Sequence, residues 1–236
     1  MLTAGSLFSG IGGIELGFER AGIKTMWQCE NNSYARKVLA RNFKGVKCYD
    51  DITRMDTKEV LRPDILCGGF PCQPHSLIGK REGSADERDL WPEFSRIIKG
   101  IQPRWVVAEN VASILRTEDG RFFGRILRDL ADLGFTTEWH VVSACSVGAP
   151  HMRDRLFIIS HANSHEHQGY TPPLWRTSAA TIYPGRTKKW AVEPAVHRVA
   201  YGVPRIMDRI RCLGNAVVPQ VAEQIGRFIV AAHQAT

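Results

Sequence analysis

The chain has 236 residues, 44% of them hydrophobic, which is enough to bury one substantial core with a small appended lobe. No apolar run reaches the roughly 20 residues of a membrane span, and the N-terminus lacks the basic start and long apolar stretch of a signal peptide, so we expect a cytoplasmic protein without a membrane partner. The net charge of +7 is concentrated in residues 161–212, which hold 8 basic and 3 acidic residues and therefore favour a polyanionic partner.

Apolar, β-rich runs alternate with helical patterns through the first two thirds of the chain. The predicted strands are, in order, GSLFSG, KTMWQCE, VKCYDDI, DILCGG, RWVVAEN, TEWHVVSA and RLFIIS. The predicted helices between them are GIELGFERAG, NSYARKVLARNF, LWPEFSRIIKG and FFGRILRDLADLG. This alternation predicts an α/β fold, with a mostly parallel, doubly wound sheet and helices on both faces.

The predicted organisation has three parts. Residues 1–160 form the α/β domain, and residues 161–203 form a small irregular lobe because they are rich in Pro, Ser, Thr and basic residues without a sustained period. Residues 204–236 return to a helical pattern in GNAVVPQVAEQIGRFIVAAHQA, with apolar positions along one face at Val221, Ile225, Phe228 and Ile229.

The first strand is followed by a glycine turn, SLFSGIGG, which contains Gly10, Gly12 and Gly13. Small residues at a strand-to-helix turn let a ligand approach the backbone and the helix N-terminus. Glu30 ends the second strand 17 residues after Gly13, where a carboxylate can bind both hydroxyls of a ribose. NAD and S-adenosylmethionine both fit these two features, and the lack of a second glycine turn favours the cofactor without a pyrophosphate.

The stretch GGFPCQPHS follows the fourth strand and places Cys72 between two prolines. Proline fixes its own φ and restricts the residue before it, so this thiol is held still at the end of a strand. The motif ENV, which starts at Glu109, follows the fifth strand. The motif HMRDR precedes the seventh strand and puts Arg153 and Arg155 on the same face of an extended segment. A nucleophile, an acid with a raised pKa and a cation that holds an anion are therefore expected to converge in one crevice.

These motifs resemble, in order, those of the DNA (cytosine-5) methyltransferases. The motifs are SLFSGIGGIELGFERAG, the isolated Glu30, Asp51-Ile52, GGFPCQPHS, ENV, RDRLFII and GNAVVPQVAEQIG. The resemblance implies a Rossmann-like, S-adenosylmethionine-dependent methyltransferase fold, with a last helix that packs beside the first. It also identifies residues 161–203 as a reduced target-recognition lobe, because only about 30 residues separate Ser160 from the returning segment.

The resemblance implies a covalent mechanism on a cytosine flipped out of duplex DNA. The thiolate of Cys72 would add to carbon 6, so that carbon 5 can attack an electrophilic methyl group. Glu109 would donate to ring nitrogen 3, and Arg153, with Arg155 in support, would bind the carbonyl oxygen. Asn110 is expected to steady the Cys72 loop.

The cofactor implied by the resemblance is S-adenosyl-L-methionine. Its expected contacts come from the first strand ends, the Cys72 loop and the C-terminal segment, and they are Phe8, Gly10, Gly12, Gly13, Glu30, Asp51, Ile52, Pro71 and Asn215. Ser6 stands where the family commonly has an acidic residue, His151 where it commonly has a glutamine, and Asn31 where it often has a large apolar residue.

Double-stranded DNA is the expected partner. HSLIGKREGSADERDLW, directly after Cys72, has the polar, glycine-containing character of a mobile lid. The expected DNA contacts in this lid and in the basic lobe are Ser76, Lys80, Arg81, Arg88, Arg186, Lys188 and Lys189. The resemblance also allows a restriction endonuclease that acts on the same site without direct binding, and we expect a monomer.

Three other functions compete with this interpretation. An RNA cytosine methyltransferase of the same fold is disfavoured because that branch tends to carry Thr where this chain has His75-Ser76. A catalytically silent DNA-binding relative would not need Cys72, Glu109 and Arg153, and a nicotinamide-dependent oxidoreductase leaves Cys72 unexplained. The six cysteines contain no CxxC pair and HANSHEH fits no standard ligand spacing, so we expect no metal.

Overall fold

The computed structural model describes residues 1–71, 89–163 and 206–234. Within these ranges, no helix is long and apolar enough to cross a membrane. The described residues also contain no group of three or more His, Cys, Asp or Glu side chains that could hold a metal ion.

A seven-stranded sheet forms the centre of the described fold. Its strands are β1 (Thr3–Leu7), β2 (Lys24–Cys29), β3 (Lys47–Tyr49), β4 (Ile65–Gly69), β5 (Trp105–Val111), β6 (Phe135–Ser143) and β7 (Asp154–Ala162). Their order across the sheet is β3-β2-β1-β4-β5-β7-β6. Strands β1 to β5 pair in parallel, whereas β7 runs antiparallel to both β5 and β6. The predicted, mostly parallel α/β sheet is confirmed, with each of the seven runs on a strand.

Six α-helices surround the sheet in the described part of the chain. They are α1 (Gly13–Arg20), α2 (Ser33–Asn42), α3 (Trp91–Ile101), α4 (Arg121–Asp132), α5 (Ile206–Asn215) and α6 (Pro219–Gln234). Local chemistry sets several of their ends. Asn32 caps α2, because its side-chain oxygen accepts hydrogen bonds from Tyr34 N and Ala35 N at 2.9 and 3.0 Å.

Each face of the sheet covers its own apolar cluster. On β4, Leu66 belongs to the cluster that includes α3 and α4, where Trp91 and Phe94 are fully buried. The neighbouring Ile65 and Cys67 belong instead to the cluster that includes α1 and α6. This alternation follows from the period of two residues in a strand, and it makes β4 a central strand that is buried on both sides.

The C-terminal helix α6 packs closely against α1. A methyl group added at Gly17 would lie 2.4 Å from the carbonyl oxygen of Pro219 and 2.6 Å from Cβ of Ala222. One added at Gly226 would lie 2.8 Å from Cβ of Ala21. Small residues on both helices therefore allow this approach, which brings the end of the chain back to the first strand-to-helix turn.

We expect Gly17→Ala to lower the free energy of unfolding by about 1–3 kcal/mol, because the added methyl group overlaps backbone atoms of α6. Gly124→Ala is the matched control, since Gly124 lies within α4 and a methyl group there meets no atom within 4 Å. That change should raise stability by about 0.5–1 kcal/mol through helix propensity. Urea unfolding measures both, and equal effects of the two substitutions would contradict the packing described.

The C-terminal segment forms two helices, whereas the sequence predicted one. Helix α5 was not predicted, and the single helical pattern that starts at Gly214 is divided by a non-helical stretch before Pro219. Proline disfavours helical geometry in the preceding residue and is well suited to the first position of a helix. The predicted apolar face of α6 is confirmed for Val221, Ile225 and Ile229, which are buried.

Candidate active site

Four parallel strands end at the same edge of the sheet, and the candidate site lies there. β1 leads into the glycine turn, β2 ends next to Glu30, β4 leads into Phe70 and Pro71, and β5 contains Glu109 near its end. Carboxyl ends of parallel strands are the usual position of ligand sites in open α/β sheets.

The glycine turn is tied directly to Glu30. Gly10 N donates to Oε2 of Glu30 at 2.8 Å, and Asn32 N donates to Oε1 at the same distance. Gly12 is the residue that caps α1, and its φ of 91° favours glycine. Phe8 also has a positive φ, 53°, and its ring meets that of Phe94 edge-on at 6.2 Å. The bulky Phe8 is therefore held in an unfavourable backbone conformation beside the turn.

This turn fits the backbone approach that a nucleoside cofactor requires. A methyl group at Gly10 would meet no atom of the described residues within 4 Å, so these residues leave the space in front of it open. Each oxygen of Glu30 accepts one hydrogen bond and keeps capacity for another, as contact with ribose hydroxyls would need. The half-buried Phe8 supplies an aromatic surface beside them.

Asp51 and Ile52 lie at the turn after β3. Oδ1 of Asp51 accepts from N and Oγ1 of Thr53 at 2.9 and 2.7 Å, and Oδ2 lies 3.2 Å from Nε of Arg54. The hydrogen bonds from Thr53 lower the pKa of the Asp51 carboxyl. Ile52 is buried in the core. Both carboxylate oxygens of Asp51 therefore already have partners within this turn.

A buried acid beneath the glycine turn was missed by the sequence analysis. Glu15 is 1% exposed in the first turn of α1, and Gln28 Nε2 donates to its Oε1 at 3.4 Å. Burial raises its pKa, and hydrogen bonding with Ser6 and Ser9 opposes this rise only in part. The one sequence signal for Glu15 is its position, since it stands where a GxGxxG pattern would have its third glycine.

Glu109 is the central titratable group of the site. Burial raises its pKa to about 7 from an ordinary 4.5, although the positive charges of Arg155 and Arg153 act in the opposite direction. On the neighbouring strand, a methyl group at Gly69 would lie 2.7 Å from Oε2 of Glu109. Glycine at this position therefore leaves room for the carboxyl group.

The two arginines before and within β7 have different partners. Nε of Arg155 lies 3.1 Å from Oε1 of Glu109, but this carboxyl oxygen makes no hydrogen bond to any described residue. Nη2 of Arg153 donates instead to the carbonyl oxygens of Gly214 and Ala216, at 2.7 and 2.8 Å. Glu109 therefore keeps an acceptor oxygen for a ligand, and Arg155 is the cation nearest to it among the described residues.

Both arginines border an open cleft of about 520 Å³. Residues 151–155 line one side, and Leu213 with residues 216–220 lines the other. The side chain of Arg153 crosses between these two walls through its hydrogen bonds to the C-terminal segment. Asn215, the last residue of α5, is exposed.

Asn110 links β5 to the segment that precedes Cys72. Its side-chain Nδ2 donates to the carbonyl oxygen of Phe70 at 3.1 Å, and its Oδ1 accepts from Val111 N at 2.8 Å. Phe70 also packs against Trp91 and Phe94, with ring centroids 5.4 and 6.2 Å apart. The backbone two residues before Cys72 is thus fixed by a buried hydrogen bond and by aromatic packing.

Several predicted site residues lie outside the described ranges. They are Cys72, Ser76, Lys80, Arg81 and Arg88 in residues 72–88, and Arg186, Lys188 and Lys189 in residues 164–205.

Comparison with known proteins gives one consistent family. The model described as C-5 cytosine-specific DNA methylase matches residues 2–196. The chain is 39% identical over 159 residues to the Type II methyltransferase M.NgoBI of Neisseria gonorrhoeae, across 67% of this chain and 50% of that protein. It is 40% identical over 159 residues to M.BsuFI of Bacillus subtilis, across 67% of this chain and 39% of that protein.

A solved structure shares the fold. A protein encoded within an E. coli prophage, and assigned as a DNA modification methyltransferase, superposes with a TM-score of 0.59 at 27% identity. The superposition covers 69% of this chain and 47% of the other. The chain therefore spans about half of the length of these relatives, or less.

Proposed function

Because this chain belongs to the C-5 cytosine-specific DNA methylase family, we propose that it transfers a methyl group to carbon 5 of a flipped-out cytosine in duplex DNA. The family predicted from the sequence motifs is confirmed. The observation that best supports the reaction is Glu109, a buried carboxyl with a pKa of about 7, which lies beside Arg155 on the strand next to the one that leads to Cys72.

Cys72 begins the reaction. Its thiolate forms a bond to carbon 6 of the cytosine, and the electrons of the carbon 5–carbon 6 double bond shift onto carbon 5 and, by conjugation, toward ring nitrogen 3, which gives a nucleophilic enamine. The hydrogen bond from Asn110 to Phe70 O supports this role, because it fixes the backbone from which Pro71 and Cys72 follow. A fixed approach lowers the entropic cost of the addition.

Glu109 supplies the proton that the addition requires. Ring nitrogen 3 becomes more basic as the thiolate adds, and a carboxyl group that is protonated near neutral pH can donate to it. Arg155 then binds the carbonyl oxygen at ring position 2, where negative charge develops. We assign this contact to Arg155 rather than to Arg153, because Arg155 lies 3.1 Å from Glu109 whereas Arg153 binds Gly214 O and Ala216 O.

S-adenosyl-L-methionine is the proposed cofactor, and when bound it supplies an electrophilic methyl group. We propose that the turn from Gly10 to Gly13 accommodates its methionine part and that Phe8 covers the adenine. Glu30 would bind the ribose hydroxyls. Contacts from Asp51, Ile52, Pro71 and Asn215 would complete the pocket.

The reaction ends with release of the enzyme. A base removes the proton from carbon 5 of the methylated ring, the electrons restore the double bond, and the bond between carbon 6 and the sulfur of Cys72 breaks. The thiolate is thereby regenerated, and the proton on ring nitrogen 3 returns to Glu109, so both groups are ready for another turnover.

Transfer of tritiated methyl groups from S-adenosyl-L-methionine tests this function. We expect label in duplex DNA that contains cytosine and none in tRNA. A duplex with 5-fluorocytosine should trap a protein–DNA adduct that survives denaturation, because fluorine at carbon 5 cannot leave as a proton does. Label in tRNA alone would favour the RNA methyltransferase, and the absence of label and adduct would exclude catalysis on both substrates.

We propose that the basic lobe contacts DNA phosphates. Replacement of Lys188 and Lys189 together by alanine should weaken DNA binding about uniformly across sequences and reduce the slope of log affinity against log salt by about 2. Fluorescence anisotropy at several salt concentrations measures this slope. A slope equal to that of the unsubstituted protein would remove the two lysines from the interface.

A further inference from the structure

We propose that Arg153 is a positioning residue that fastens the C-terminal junction, residues 214–218, to the start of β7 and thereby supports the cofactor turn. This inference rests on the proposed function for the identity of the cofactor. It replaces the expectation that Arg153 itself binds the cytosine carbonyl oxygen.

One nitrogen of Arg153 makes two hydrogen bonds to the C-terminal junction. Nη2 of Arg153 donates to Gly214 O at 2.7 Å and to Ala216 O at 2.8 Å. Both acceptors lie where α5 ends, and the last carbonyl groups of a helix have no partner within it. A cation at this end also interacts favourably with the helix dipole. Arg153 thus joins parts of the chain that are 61 and 63 residues apart in sequence.

The same junction contacts the start of α1. A methyl group at Gly13 would lie 2.4 Å from the carbonyl oxygen of Val217 and 3.1 Å from its nitrogen. Gly13 is the last residue of the glycine turn and the first of α1, and Val217 is 8% exposed. The backbone of the junction therefore lies directly against the end of the cofactor turn.

The two arginines have different partners and therefore different proposed roles. Arg155 lies 3.1 Å from Glu109, whereas the two short hydrogen bonds of Arg153 lead away from it. Both charges lower the pKa of Glu109, and Arg155 has the larger effect. One arginine is thus available to a substrate beside the acid, and the other holds the C-terminal segment.

The two roles of Arg153 predict different losses on substitution. A contact made to the cytosine in the transition state would lower kcat and leave cofactor affinity unchanged. A clamp on the junction would weaken cofactor binding before any DNA is present, because it supports the turn that approaches the cofactor.

Isothermal titration with S-adenosyl-L-homocysteine and hydrogen exchange of the ligand-free protein test the clamp. Arg153→Met keeps an apolar stem but removes both hydrogen bonds. We expect it to raise the Kd about tenfold and to speed amide exchange in residues 213–221. Arg153→Lys keeps a cation that can donate to carbonyl groups and should give an intermediate Kd and exchange rate. Arg209→Met is the matched control, because Arg209 is an exposed arginine on α5.

An Arg153→Met protein with unchanged amide exchange and Kd but a lower rate of methyl transfer would overturn the inference. That result would favour direct binding of Arg153 to the cytosine carbonyl oxygen. If Arg153→Met does not fold, Arg153→Lys decides. An Arg153→Lys protein whose amide exchange and Kd both equal those of the unsubstituted protein would contradict the clamp. An unsubstituted protein that does not bind S-adenosyl-L-homocysteine would contradict the proposed function. The exchange measurement still tests the clamp in that case, because it needs no ligand.

Discussion

Replacement of Cys72 by alanine is expected to lower the rate of methyl transfer by about 10⁴-fold or more and to leave cofactor affinity nearly unchanged. In the proposed mechanism the thiolate of Cys72 forms the covalent bond to the cytosine, and alanine cannot form it. Most of the proposed cofactor contacts, including those of Phe8, the glycine turn and Glu30, belong to other strand ends, and Pro71 is retained.

Single-turnover assays and isothermal titration separate these two effects. Cys145→Ala is the matched control, because Cys145 is an exposed thiol with no assigned role. It should retain the rate of the unsubstituted protein. A Cys72→Ala protein that still methylates DNA, or one that loses cofactor binding together with activity, would remove Cys72 from the assigned role.

Replacement of Glu109 by glutamine is expected to lower the rate of methyl transfer by about 10²- to 10⁴-fold. The substituted amide can still form a hydrogen bond but cannot transfer a proton as a carboxyl group does. The protonated form of Glu109 is the active one, so its ionisation, with a pKa of about 7 in the ligand-free protein, should contribute a fall in the rate as pH rises, against the rise that ionisation of the Cys72 thiol contributes. The Glu109→Gln protein should show no such fall.

Glu138→Gln is the matched control for this prediction. Burial also raises the pKa of Glu138 to about 7, but this residue lies on the edge strand β6, away from Arg155. Its replacement should leave the pH dependence of the rate unchanged. Single-turnover rates measured between pH 6 and 9 test both proteins, and a fall in the rate with rising pH that survives Glu109→Gln would assign the titration to another group.

The same pKa predicts a change of stability with pH. Because the folded-state pKa of Glu109 is raised above its ordinary value of 4.5, the folded protein binds the proton more tightly than the unfolded chain. The contribution of this group to stability is complete below pH 4.5 and is lost as pH rises to about 7. Glu109→Gln should flatten the dependence of the unfolding free energy on pH in that window.

The arrangement of the strand ends was predictable because it depends on local patterns. Alternating strands and helices define a mostly parallel sheet, and the carboxyl ends of such strands meet at one edge. Glu30 and Glu109 each follow or end an apolar run, so their positions at that edge could be inferred without contacts. The resemblance to one family then supplied their expected roles.

Features that depend on distant contacts were not predictable. Arg153 and Arg155 are equivalent in an extended segment, and they are distinguished by distant partners: Gly214 O and Ala216 O for Arg153, and Glu109 for Arg155. The burial of Glu15 was missed because an acid in the first turn of a helix is normally a surface residue. Helix α5 was also missed, although its apolar residues Met207, Ile210 and Leu213 recur every three residues; all three are exposed in the structure.

Bisulfite sequencing tests the central claim most directly. Genomic DNA would come from a host that lacks cytosine methylation and expresses either this protein or its Cys72→Ala form. We expect cytosines that resist conversion in a fixed sequence context, seen only with the unsubstituted protein. Full conversion in both strains, with the unsubstituted protein soluble, would contradict a cytosine-5 methyltransferase that acts on DNA.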